Sequence, residues 1–206
     1  MTHAEPTRVA GLQLRAASID DGQQRTVRLP GDGHMWFMVL GDLIIFAAYF
    51  IIYMVQRAMA PEAYLQAQQH LSITIGIFNT LVLVTSSWFI AQSVRATADA
   101  RHERAIRLIY GGGACGVLFI ALKAYEWSMK ITQGYTTSNE FFMFYYMLTG
   151  THLFHVALGL LILGIVVREL RNPRRRRLSI VEQGATYWHM VDLLWLVIFA
   201  LLYVMR

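Results

Sequence analysis

Seven ionisable side chains, Asp42, Lys123, Glu126, His152, His155, His189 and Asp192, stand inside long apolar stretches of the sequence. In hydrocarbon a central charge costs roughly 2.5–3.5 kcal/mol on insertion scales, so each of these groups needs a partner or a task. His152 and His155 are three residues apart, as are His189 and Asp192, and Lys123 and Glu126. On a helix that spacing puts both members of a pair on one face. A carboxyl group beside an imidazole can exchange a proton with it, because imidazole titrates near neutrality. Histidines in a bundle core can instead be axial ligands of haem iron. A third reading needs no reaction: a polar cluster that is satisfied internally and fixes helix register. Lys123 and Glu126 permit an intrahelical ion pair, with the Lys123 stem long enough to carry its ammonium toward the membrane boundary.

The elements that must position these groups follow from the apolar runs. The 206-residue chain is 56% hydrophobic and 15% charged, with a mean hydropathy of +0.42, which is too apolar for an ordinary soluble domain. Stretches at about 35–56, 72–94, 106–128, 141–167 and 187–205 each approach the ~20 residues that cross a ~30 Å hydrocarbon layer. Lipid offers no partner to backbone N–H and C=O groups, and the alternation of barrel strands is absent, so each stretch must be helical. The expected fold is all-α: a polytopic membrane protein with a five-transmembrane-helix bundle over residues 34–206. A polar arm, 1–33, precedes it and lacks the apolar core of a secretory signal.

Basic residues set the orientation, because those in short loops are retained on the cytoplasmic side. Fourteen lie in the N-terminal arm and the second and fourth connections, against three, Arg57, Lys130 and Arg206, on the other side. The N-terminus is therefore expected in the cytoplasm and the C-terminus outside. The run Arg174 to Arg177 suffices as a topology signal, although it can also attract anionic lipid or an acidic partner surface. With basic residues divided among loops, nucleic acid is not an expected partner despite the net charge of +5. The single cysteine, Cys115, excludes an internal disulfide and any multi-thiolate metal site within this chain.

Helical rise places Asp42, His152, His155 and Asp192 at ~8–12 Å from the cytoplasmic boundary, so three helices bring acids and imidazoles to one level. Tyr145, Thr149, His152, His155 and Gly159 follow three- and four-residue steps and share one stripe facing the bundle. The expectation is that Asp42 meets the His152/His155 stripe, and that His189 and Asp192 join the same buried polar cluster or face a neighbouring subunit. Gly112 and Gly116 form a small-xxx-small pair for close helix packing. The five tryptophans, 36, 88, 127, 188 and 195, fall mostly near span ends and are expected as interfacial anchors.

From about Met35 onward the sequence resembles subunit III of the haem-copper oxidase superfamily. Gly41-Asp42-Leu43 to Phe50, Phe78-Asn79-Thr80 to Ser86-Ser87, and Tyr125-Glu126-Trp127 each resemble family segments. More specific are Thr149-Gly150-Thr151-His152-Leu153-Phe154-His155-Val156 with Gly159, which resembles the paired-histidine helix, and Tyr187-Trp188-His189-Met190-Val191-Asp192-Leu193-Leu194-Trp195, which resembles the closing helix. The resemblance implies a multi-pass subunit of a bacterial inner membrane, without haem or copper of its own. It would be packed on the catalytic subunit I, stabilising it and sustaining its proton uptake. It carries the family's buried carboxylate onto Asp42, its imidazoles onto His152 and His155, its outer acid onto Glu126 and its last-helix pair onto His189 and Asp192. Seven-helix members hold phospholipid in a cleft between their first two helices and the rest; those two are missing here, which leaves bound phospholipid an open expectation. The five-helix length and Asp42 in place of Glu are similar to the quinol-oxidase branch and to subunit-III-like proteins associated with nitric oxide reductase. The arginine-rich fourth connection leans toward the latter. Two rival functions are a haem-binding electron-transfer subunit, which a stoichiometric Soret band would mark, and a proton-coupled transporter. The latter calls for broken helices or an inverted repeat, and neither is visible in the five spans.

Overall fold

A computed structural model describes residues 33–174 and 176–205. Almost all of the polar arm, together with Arg175 and Arg206, lies outside the described residues. In chain order the elements are α1 (Gly33–Met59), α2 (Pro61–Gln69), α3 (Ile73–Ala98), α4 (His102–Thr132), α5 (Glu140–Arg171) and α6 (Leu178–Phe199). The last runs on into a π-helical turn, Ala200–Val204. Five helices, α1 and α3 to α6, are long and apolar enough to cross a membrane, and no strand occurs among the described residues. The protein is an all-helical membrane protein.

The helices outrun the apolar stretches. α4 has 31 residues and α5 has 32, because backbone hydrogen bonding continues into the charged flanks where hydropathy falls. The nine-residue α2 was not expected. Pro61 at its first turn and Glu62 near its positive end favour it locally, but it is too short and polar for a hydropathy signal. Its Tyr64 packs edge-on against Phe141 of α5, ring centroids 5.8 Å apart. Asn139 starts α5 by accepting from the backbone N–H groups of Phe141 and Phe142 at 3.0 and 3.4 Å. α3 and α4 end alike. Arg101 N–H donates to Ala96 C=O and Tyr135 N–H to Lys130 C=O, each to the carbonyl five residues back, with a left-handed residue between. After α4 that residue is Gly134, φ +85°; after α3 it is Ala100, φ 57°.

α6 is the centre of the bundle and α1 its rim: 56% of the apolar window of α6 is buried, against 17% for α1. The buried residues of α1 are Val39, Phe46 and Tyr53, spaced by seven residues, with Asp42, Leu43 and Phe50 partly buried beside them. α3 and α4 make the most extensive helix contact. Ser86 donates to the Gly112 carbonyl at 2.8 Å, and a Cβ on Gly112 would stand 2.7 Å from Ile90 and 3.3 Å from the Ser86 carbonyl. Gly116 serves differently from a second backbone contact, because it opens a slot for a side chain. The Trp188 indole lies between Gly116 and Gly159, which it would meet at 2.7 and 2.9 Å if either carried a Cβ.

That slot corrects the reading of the tryptophans as boundary anchors. Trp188 and Trp195 are fully buried. Seven residues apart on α6, they share the face that enters the core, where Trp188 donates to Ser86 Oγ at 3.1 Å and Trp195 to Thr80 Oγ1 at 3.1 Å. Trp88, by contrast, is exposed.

Candidate functional site

The polar residues of the spans fall into three groups that differ in how far the chain itself satisfies them. The first surrounds Lys123, which is wholly buried and does not reach outward to the boundary. Its ammonium donates to Glu126 Oε2 at 2.7 Å and to the Tyr203 hydroxyl at 2.7 Å. Tyr203 in turn donates to Glu126 Oε1 at 2.7 Å. A closed triangle results, in which acid, base and phenol each meet the other two. Tyr203 stands in the π-helical turn, with its hydroxyl against Lys123 and Glu126 of α4. The same turn presents the Leu201 carbonyl to the Tyr53 hydroxyl at 3.3 Å. Aromatic faces enclose the cation, with Nζ 4.9 Å from the Trp195 ring and 5.1 Å from those of Tyr145 and Tyr203.

The second group joins α1 to α5. Asp42 Oδ2 is 3.6 Å from His155 Nε2, both partly buried, and Phe46 packs edge-on against the same imidazole at 5.3 Å. His155 Nδ1 lies 2.8 Å from the Thr151 carbonyl, which can only accept. Nδ1 therefore carries a hydrogen, and Nε2 is the nitrogen turned toward Asp42. His152, one turn away on α5, does not share this contact. It is fully buried with neither ring nitrogen hydrogen-bonded, boxed by Phe119 at 5.6 Å and Trp195 at 5.3 Å.

The third group faces outward between α3 and α6. His189 Nδ1 is 2.6 Å from Ser87 Oγ. Asp192 keeps only 8% of its surface, yet neither carboxylate oxygen makes a hydrogen bond of normal length and angle. A groove of about 310 Å³ opens beside it, lined by Thr80, Ser87, Trp88, His189 and Leu193 among others. Asp42 and His155 are thus brought together, as are Lys123 and Glu126, while His189 and Asp192 turn to α3. The polar residues form separate groups rather than one network because the faces of α6 meet different helices.

Tyr203, Tyr145, Ser87 and Thr80 were not singled out as partners from spacing. A buried ammonium and carboxylate imply hydroxyl partners on facing spans, and that signal points to Tyr145 and Tyr203 without choosing their register. Among the described residues no three His, Cys, Asp or Glu side chains converge to hold a metal ion. Cys115 is a free, half-buried thiol.

A sequence model of the family described as cytochrome c oxidase subunit III matches residues 23–206. Cytochrome c oxidase subunit 3 of Synechocystis is 30% identical, over 96% of this chain and 89% of the relative. Subunit 3 of the cytochrome bo(3) ubiquinol oxidase of Buchnera aphidicola is 22% identical over 91% of both. A heme-copper oxidase subunit I+III of Aeropyrum pernix is 24% identical over 82% of this chain, which matches 22% of that longer protein. None of these three names is that of a nitric oxide reductase component.

Proposed function

Because the chain belongs to the cytochrome c oxidase subunit III family and is an accessory subunit of a haem-copper oxidase, we propose that it packs beside subunit I of a cytochrome c oxidase and sustains that subunit's stability and proton uptake. The observation that carries this reading is the match along almost the whole chain to relatives named as subunit 3 of oxidases. The fused relative, in which subunits I and III share one polypeptide, supports lateral packing of two membrane domains. Cytochrome c, rather than quinol, is favoured as donor by the higher identity to the relative named for it, 30% against 22%. The Asp42–His155 pair, a carboxyl group facing an imidazole at 3.6 Å inside the membrane spans, supports the proton-uptake element.

In this reading the chain lies in a bacterial inner membrane, the arm 1–33 in the cytoplasm and the C-terminus outside, as the fourteen-to-three distribution of basic residues favours. Residues 34–206 form the membrane domain, and phospholipid fills the grooves that no protein covers. Affinity purification of the tagged full chain from its native membranes tests the proposal. The expected result is co-elution of a haem-bearing catalytic subunit in about equal amount, with the haem absorbance lost when that subunit is stripped away. Elution of the chain alone, or a Soret band that stays with the stripped chain, overturns it. A periplasmic reporter enzyme fused at the C-terminus is expected to be active, and an inactive fusion reverses the assigned orientation.

A further inference from the structure

The groove between α3 and α6 has a polar floor that this chain does not complete. Both oxygens of Asp192 are without a hydrogen bond although the side chain is more than nine-tenths buried. The Ser87 hydroxyl, 2.6 Å from His189 Nδ1, has one proton to give, to that nitrogen or to one oxygen of Asp192, so at least one carboxylate oxygen stays unmet within the chain. A carboxyl group left so costs stability unless a donor arrives from outside. Depth narrows what that donor can be. Ser87 lies eight residues before Arg95, and Asp192 ten residues after Glu182, which at ~1.5 Å per residue sets the groove floor ~12–15 Å from the charged flanks. Lipid phosphates and ammonium groups stay at the boundary and do not descend that far. A donor at this level comes from a membrane-embedded side chain. The rim has the matching character: Trp88 and Leu193 are 57% and 54% exposed, and Val84 and Leu196 are exposed beside them.

We propose that a transmembrane helix of the catalytic subunit docks in the α3/α6 groove and gives an N–H or O–H hydrogen bond to Asp192. The proposal rests on the accessory-subunit reading, which supplies a membrane partner of the required depth. His189 and Ser87 then act as positioning residues, holding the groove wall and leaving the carboxylate free to accept.

The test uses the full chain expressed together with its catalytic subunit in native membranes. The photo-reactive amino acid p-benzoylphenylalanine replaces Leu193, and irradiated products are identified by mass spectrometry. The expected product is an adduct with a transmembrane peptide of the catalytic subunit. In parallel, Asp192→Leu is expected to lower retention of that subunit through a detergent wash by about fivefold, whereas Asp192→Asn, which keeps a carbonyl acceptor, stays within about twofold of the parent. An adduct with lipid alone or with a second copy of this chain, or undiminished retention in Asp192→Leu, overturns the docking assignment while the accessory-subunit reading stands. Absence of the catalytic subunit from the unmodified purification removes both, so the two failures are distinguishable.

Discussion

Two polar sites share helix α6 and opposite fates. The Lys123–Glu126–Tyr203 triangle is closed, with each donor and acceptor met inside the chain and aromatic rings excluding everything else. The Asp192 groove is open, and its carboxylate is buried by the chain but not satisfied by it. Both contain a charge-capable group in an apolar span, so desolvation cannot explain the difference. What differs is where the missing partner resides: in the first case on the last turn of the same chain, in the second beyond its surface. Intramembrane ionisable residues are therefore better sorted by whether their hydrogen bonds close than by whether they are buried.

The sharpest way to break that comparison is to remove the ammonium from the closed site. Lys123→Met leaves Glu126 buried against a phenol alone, and a loss of ~3–5 kcal/mol is expected, read as a large fall in thermal stability of the detergent-purified chain. A variant that melts with the parent would show the triangle to be incidental. Tyr203→Phe deletes only the hydroxyl that bridges acid and base and is expected to cost ~1.5–3 kcal/mol in the same measurement. Asp42→Leu, at a partly exposed pair, should change stability by no more than ~1 kcal/mol. It is nonetheless expected to impair proton uptake by the assembled oxidase. Assembly, stability and activity all unchanged would remove the Asp42–His155 pair from any functional account. Smallest of all, Asp192→Leu in the isolated chain is expected to stay within ~0.5 kcal/mol of the parent or above it, since no internal hydrogen bond is lost. A large loss would mean that the open site is closed by a partner within this chain.

The five spans were legible because hydrocarbon imposes one length and one composition on every crossing helix. The pairing of Asp42 with the α5 histidine stripe was legible too, since helical rise puts them at one level. The choice between His152 and His155 was not: it depends on the rotation of α1, which spacing within α5 cannot supply. Trp188 was misplaced because its position at the start of the last apolar stretch suits an anchor, while its burial follows from Gly116 and Gly159 on two other helices; Trp195, in mid-stretch, is buried against Phe119 and His152. α2 escaped notice for want of apolar length, and the π-helical turn because no local residue pattern distinguishes five residues of π-helix from the α-helix it continues.

The π-helical turn has a consequence in time. Chain order puts α4 in the membrane well before Ala200–Val204 is made, so Lys123 and Glu126 enter lipid with their shared hydroxyl still missing. Only the arrival of α6 and its π-helical turn delivers Tyr203, and until then the nascent bundle holds an ion pair whose hydrogen bonds to that hydroxyl are unmade. The end of the chain is thus a latch, closing contacts to Tyr53, Lys123 and Glu126 that no earlier segment can make.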